Sequence, residues 1–65
     1  MKCKIEIQMD NAAFTEYYGQ ASEEVSSILK DLSKRIFHHP HFSPGHNQPL
    51  YDINGNHVGY IDVYK

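Results

Sequence analysis

The apolar and polar positions along the chain fall into four regular stretches. In residues 2–9 the two classes alternate, as in a half-buried strand whose inner face carries Cys3, Ile5, Ile7 and Met9. In residues 20–37 the apolar side chains recur at the spacing of one helical face, at Ala21, Val25, Ile28, Leu29, Leu32 and Ile36. Residues 50–53 and 57–64 predict two further strands.

The boundaries of these stretches are marked by residues with specific backbone preferences. Residues 10–11 predict a turn and an N-cap after the first strand, followed by a short helical turn that buries Phe14. Gly19 and Pro40 bound the long helix. Residues 38–49 contain the three prolines and show no apolar period, so they predict a long loop.

The dipeptide Asn54-Gly55 predicts a β-hairpin between the last two strands, because both residues tolerate the positive φ values of tight turns. The sequence leaves two registers open. A two-residue turn pairs Ile53 with Asn56, whereas a type I turn over residues 52–55 with a bulge shifts every partner.

The order strand, helix, strand, strand predicts an α+β fold in which residues 1–65 form a single β-α-β-β domain. A right-handed crossover through the helix places the second strand parallel to the first and leaves a gap between them. The third strand fills this gap. The expected sheet is therefore three-stranded and antiparallel, with the order 2-3-1 and with the helix packed on one face.

The composition excludes several classes of protein. The 65 residues contain one cysteine and carry a net charge of −2, which rules out an internal disulfide and a four-cysteine zinc site and disfavours direct binding to nucleic acid. The basic start of the chain precedes an alternating segment, not an apolar run, so neither a signal peptide nor a membrane span is predicted. Cys3 is expected to be a small core residue rather than a nucleophile.

A chain this short offers little room for a deep pocket. We therefore expect a cytoplasmic binding protein that has no catalytic activity and needs no cofactor. A monomer is expected, and pairing of a sheet edge with a second copy is the alternative.

Acidic side chains are segregated from basic ones in the first half of the chain. Residues 5–29 contain five carboxylates and no Lys or Arg, together with two adjacent tyrosines. Because tyrosine is frequent at protein interfaces, this pattern predicts a surface that binds a basic partner. The alternative is that the helix N-terminus attracts carboxylates without any partner. The candidate partner-binding residues are Asp10, Glu16, Tyr17, Tyr18, Glu23, Glu24 and Asp31.

The loop at residues 38–49 is rich in histidine, which is a common zinc ligand. The weak candidate ligands are His38, His39, His41 and His46. Adjacent histidines beside a proline rarely converge on one ion, and Asp52 is the only acidic residue nearby. We therefore predict a loop without a metal site.

Two segments, IQMDNAAF at residues 7–14 and DINGNHVG at residues 52–59, resemble a family of very small proteins encoded by phages and integrated elements. Some proteins of this kind resemble anti-CRISPR proteins. The resemblance implies a non-enzymatic inhibitor in the host bacterial cytoplasm that binds a subunit of a type I CRISPR surveillance complex. Its acidic surface would act as a DNA mimic and block target DNA binding. The alternative is a metal-responsive or structural interaction module of a mobile element, in which the histidine loop makes the contact.

Overall fold

The computed structural model describes residues 1–15 and 20–65, and these residues form a three-stranded sheet with helices. The elements are β1 (Lys2–Ile7), α1 (Ala12–Thr15), α2 (Gln20–Phe37), β2 (Asn47–Tyr51) and β3 (His57–Tyr64). Strand β3 lies in the centre of the sheet and is antiparallel to both of its neighbours, in the order β1-β3-β2. This arrangement confirms the predicted α+β class and the strand order 2-3-1.

The core lies between the helices and the sheet. In α2, Ile28 and Leu32 are buried, whereas Leu29, on the margin of the same stripe, is 40% exposed. Phe14 of α1 is buried as predicted. The rest of the buried cluster consists of Ala13, Leu50, Val58 and Ile61. Within the described ranges, no helix combines the length and the apolar character that crossing a membrane requires.

Strand β1 is less covered than its alternating pattern predicts. Cys3 pairs with the buried Val63, and Ile5 pairs with Ile61, so both lie on the core side of the sheet. Nevertheless Cys3 is exposed and Ile5 is 44% exposed. The prediction that Cys3 is a core residue is therefore wrong. Helix α2 contacts β2, at the opposite edge of the sheet, and leaves the core side of β1 open.

Strand β2 begins earlier than the sequence pattern predicts. It starts at Asn47 and includes Pro49, which shortens the preceding loop to residues 38–46. Proline has no N–H to donate, and it is tolerated because β2 is an edge strand. The Pro49 carbonyl accepts a hydrogen bond from Arg35 Nη1 at 3.3 Å.

The hairpin adopts the second of the two predicted registers. The Gly55 N–H donates to the Asp52 carbonyl, and the Asp52 N–H donates to the Asn56 carbonyl, each at 3.0 Å. Gly55 has a φ of 83°, while no other residue type in the described ranges has a positive φ. A two-residue turn would need a positive φ at Asn54 as well, so the chain forms a type I turn with a glycine bulge.

Candidate functional site

Two segments, residues 7–14 and residues 52–59, meet at the carboxylate of Asp52. Asn11 caps α1 by accepting the Ala13 N–H at 2.9 Å, and its Nδ2 donates to Asp52 Oδ2 at 2.9 Å. Asp52 Oδ1 accepts the backbone N–H groups of Asn54 and Asn56, each at 2.9 Å. Asn56 Nδ2 also donates to Oδ2, at 3.1 Å. These residues therefore join the start of α1 to the hairpin.

The environment of Asp52 keeps its carboxyl ionised. The residue is 6% exposed. Burial by itself raises the pKa of this carboxyl, but hydrogen bonds from Asn56, Asn11 and Asn54 together outweigh burial and hold the pKa below its ordinary value. Four donors occupy the two oxygens, and this leaves the carboxylate little capacity for another ligand.

Glu24 of α2 holds the other side of the same turn. It is 8% exposed, and its Oε1 accepts the Ile53 N–H at 2.8 Å. A buried carboxylate bonded to a backbone N–H fixes the hairpin against the helix, because losing either partner leaves a polar group unsatisfied. This candidate partner-binding residue therefore has a role inside the fold.

A groove of about 300 Å³ runs between α2 and the hairpin. It is lined by Glu24, Ser27, Ile28, Asp31, Tyr51, Asp52 and Ile53. The lining contains three carboxylates and no Lys or Arg. Tyr51 and Ile53 are 50% and 80% exposed, so the groove, which we call the acidic groove, combines negative charge with accessible apolar surface.

Asp31 supplies the accessible charge of the acidic groove. Its side chain is 70% exposed, and Arg35 Nε donates to Oδ2 at 3.1 Å. Arg35 also donates through Nη1 to Gln48 Oε1 at 3.3 Å. The guanidinium is therefore held between α2 and β2, and it neutralises part of the charge of Asp31. Ion pairs this exposed are weak and leave the carboxylate available to a competing cation.

The structure brings together only part of the predicted partner-binding surface. Glu24 and Asp31 line the acidic groove, whereas Asp10 and Glu23 are exposed outside its lining. Glu16, Tyr17 and Tyr18 lie outside the described residues.

The sequence interpretation missed five of the seven groove residues, including all three that the hairpin side supplies: Tyr51, Asp52 and Ile53. These three residues were assigned to the hairpin alone, because nothing in a local pattern reports that the turn packs against α2. The local signal that existed was an apolar residue, Ile53, inside a polar turn. In the fold the Ile53 side chain is 80% exposed.

The histidine loop packs as an aromatic cluster. The His46 ring lies 4.2 Å from the His39 ring and 5.2 Å from the Phe42 ring, measured between centroids. His39 Nδ1 accepts the His41 N–H at 3.2 Å, and the His46 carbonyl accepts the Val63 N–H at 2.9 Å. These contacts close the loop onto the end of β3.

His38 lies apart from this cluster, against Phe37 at 5.1 Å between ring centroids. In the part of the chain that the structure describes, no three His, Cys, Asp or Glu side chains form a group that could hold a metal ion.

Comparisons with known proteins add no family to this description. No protein-family model matches the chain, and neither a curated protein nor a solved structure matches it. A function is therefore proposed from the chemistry of the described surfaces and from the sequence segments at residues 7–14 and 52–59.

Proposed function

We propose that this protein is a non-enzymatic inhibitor that binds a basic surface of a partner protein through the acidic groove. The observation that supports this role is the lining of the groove, which has three carboxylates, no basic side chain and two exposed apolar residues, Tyr51 and Ile53. A Lys or Arg of the partner would enter the groove toward Asp31. Tyr51 and Ile53 would supply apolar contacts around it, and such contacts carry much of the affinity at protein interfaces.

The two buried carboxylates favour binding over catalysis. A general base must reach a proton on its substrate. The oxygens of Asp52 are occupied by donors from the hairpin and α1, and Glu24 Oε1 is occupied by a backbone N–H. Both side chains thus hold the walls of the groove in place.

The partner that we propose is a subunit of a type I CRISPR surveillance complex in the cytoplasm of the host bacterial cell. The support is the resemblance of residues 7–14 and 52–59 to small phage proteins, together with the charge match between the acidic groove and a lysine-rich channel that holds DNA. The protein would then act as a partial DNA mimic that blocks target DNA binding. The remaining members of the proposed surface are Asp10, Glu16, Tyr17, Tyr18 and Glu23.

Two serines of α2 offer a matched test of the acidic groove. Ser27 lines the groove and Ser33 does not, and both are exposed. Ser27→Lys places an ammonium group inside the groove, so it should weaken inhibition of target DNA binding by about tenfold or more, because a partner cation meets a like charge there. The measurement is a gel-shift titration of the surveillance complex with target DNA and tag-free protein.

Ser33→Lys is the control, because it changes the same residue type on the same helix and gives the same net charge. It should inhibit like the unmodified protein, and circular dichroism should show both variants folded. Equal inhibition by the two variants would rule out the acidic groove. Failure of the unmodified protein to alter DNA binding would rule out this partner.

A further inference from the structure

Strand β1 presents an unpaired backbone at the edge of the sheet. The Gln8 N–H donates to the Val58 carbonyl at 2.7 Å, which shows which residues of this strand face β3. Because backbone groups alternate in an antiparallel ladder, the N–H and C=O groups of Cys3, Ile5 and Ile7 point away from β3. None of them bonds to another described element. We call these three residues the free edge.

The side chains of the free edge leave apolar surface open on the core side of the sheet. Ile5 is 44% exposed and Cys3 is exposed. The residues that flank the strand add to this surface, with Met1 79% and Met9 44% exposed. A strand with both an unpaired backbone and an uncovered apolar face can bind another strand.

The opposite edge of the sheet is protected. Pro49 in the middle of β2 has no N–H to offer, and its carbonyl already accepts from Arg35. Proline and a covering cation are two ways in which natural sheets block an edge. Another strand can therefore pair with this sheet at β1 more readily than at β2.

The charges on β1 favour a second copy of the same strand as the partner of the free edge. When a second copy of β1 runs antiparallel with Ile5 opposite Ile5, Lys4 lies opposite Glu6 of the second copy, and Glu6 lies opposite Lys4 of the second copy. Opposite charges at directly opposed positions stabilise strand pairs. Within one chain Lys4 Nζ lies 3.9 Å from Glu6 Oε1, and the two side chains are 54% and 53% exposed. An ion pair this exposed is weak, so both side chains can also reach a second chain.

Neighbouring registers are disfavoured. Pairing Ile5 with Cys3 of the second copy sets Lys4 against Lys4, and pairing it with Ile7 sets Glu6 against Glu6. Like charges directly opposite each other destabilise strand pairs. A shift by a single residue sets Ile5 opposite Lys4 or Glu6 of the second copy. The N–H and C=O groups of those residues already point toward β3, so they cannot bond to Ile5. Of these registers, the symmetric one about Ile5 is the one that combines hydrogen bonding with charge complementarity.

We infer that this protein forms a two-fold symmetric dimer through β1, in which two sheets join as one six-stranded antiparallel sheet of order β2-β3-β1-β1-β3-β2. Main-chain hydrogen bonds of Cys3, Ile5 and Ile7 hold the two copies, and the exposed apolar side chains of the two strands meet on the core side. The sequence favoured a monomer and left pairing of a sheet edge as the alternative, and this proposal adopts that alternative. It does not depend on the proposed function.

A charge swap tests the register. Sedimentation equilibrium of tag-free protein should give twice the 7.5 kDa mass of one chain. Lys4→Glu and Glu6→Lys should each raise the dimer dissociation constant by about tenfold or more, because each sets like charges opposite each other. The double variant should restore dimers, and an equimolar mixture of the two single variants should form heterodimers. Lys30→Glu, on the exposed surface of α2, is the control for Lys4→Glu, because it makes the same charge change outside β1.

A cysteine pair tests the geometry independently. In a Cys3→Ser background, Ile5→Cys should cross-link under mild oxidation, because opposed Cα atoms of a hydrogen-bonded pair lie about 5.5 Å apart, within disulfide range. Native Cys3 should not cross-link to itself, because this register separates the two copies of Cys3 by about 14 Å along the strands.

A sedimentation mass of one chain at about 100 µM would overturn the inference, since it would put the dissociation constant above the range typical of specific dimers. Cross-linking through native Cys3, or dimers unaffected by both single charge variants, Lys4→Glu and Glu6→Lys, would overturn this register. Circular dichroism of each variant separates loss of pairing from loss of folding.

Discussion

At the scale of single residues, the protein uses its carboxylates inside the fold as much as on the surface. Asp52 accepts four hydrogen bonds and links the cap of α1 to the hairpin, while Glu24 links α2 to the same hairpin. A carboxylate suits such a junction because it accepts several donors and donates none. The residues at 7–14 and 52–59 therefore include structural contacts that join the cap of α1 to the hairpin.

Asp52→Asn tests this junction. The amide would turn a donor toward the Nδ2 donors of Asn11 and Asn56, so the melting temperature should fall on the order of 5 °C at pH 7. Asp10→Asn is the matched control, since Asp10 is exposed, and it should leave the melting temperature nearly unchanged. An equal effect of the two variants would contradict the structural role of Asp52.

The effect of the same substitution on the melting temperature should depend on pH. Because the folded pKa of Asp52 lies below its ordinary value, the stability that its charge contributes is complete above the unfolded pKa of about 3.9 and is lost as pH falls toward the folded pKa. The gap in melting temperature between the unmodified protein and Asp52→Asn should therefore be widest above about pH 4 and shrink below it. Thermal melts between pH 2.5 and 7 would measure the gap, and a gap that widens in acid would have the wrong sign.

At the scale of elements, the sequence predicted those features that a local pattern determines. Helix α2 has an uninterrupted apolar stripe, and β3 follows the strong turn signal Asn54-Gly55, so both were predicted with their observed limits. The start of β2 was missed because Pro49 argues locally against a strand, and only its edge position makes it tolerable. The hairpin register stayed open because the choice depends on donors and acceptors around Asp52, including Asn11, which is distant in sequence.

Glycine substitutions separate two constraints on the backbone: close contact between neighbouring strands, and a positive φ in a turn. A Cβ at Gly59 would fall against the backbone carbonyl of Glu6, on the neighbouring strand β1. Gly59→Ala should therefore push β1 and β3 apart and destabilise the fold on the order of 3 kcal/mol. Gly55→Ala meets nothing within 4 Å and is strained only by its φ of 83°, so it should cost about 1–2 kcal/mol.

Gly45→Ala is the control for φ strain alone, since Gly45 has a φ of 99° and open space around it. Urea unfolding followed by circular dichroism gives all three free energies. If Gly59→Ala were no worse than Gly45→Ala, the close approach of β1 to β3 would be wrong.

At the scale of the whole molecule, the two proposed interaction surfaces lie at opposite edges of the sheet. The acidic groove adjoins β2 and the hairpin, and the free edge belongs to β1. The sequence predicted an acidic surface but could not assemble the groove, because its walls come from α2 and from a turn more than twenty residues later. A β1 dimer would leave both grooves accessible. Two grooves on one particle would raise the effective affinity for a partner that carries repeated basic sites.

The two surfaces should respond differently to salt. Raising NaCl from about 50 mM to about 500 mM shortens the Debye length from about 14 Å to about 4 Å. Binding of a basic partner in the acidic groove rests on attraction between opposite charges, so its affinity should fall by about tenfold or more. Dimerisation through β1 rests mainly on main-chain hydrogen bonds and apolar contact, with the pairs of Lys4 and Glu6 selecting the register. Its dissociation constant should change by less than about threefold.

Parallel titrations measure the two responses, with sedimentation equilibrium for the dimer and biolayer interferometry for the partner. The Lys4→Glu variant serves as a dimer-deficient control, so that loss of partner affinity is not mistaken for loss of two-site binding. A dimer that dissociates with salt as steeply as the partner complex would mean that charge holds β1 together. A partner affinity insensitive to salt would instead mean that apolar contacts, not the charge of Asp31, supply most of the affinity. These contacts would come from the exposed ring of Tyr51 and the exposed methyl groups of Ile53, whose burial does not depend on ionic screening.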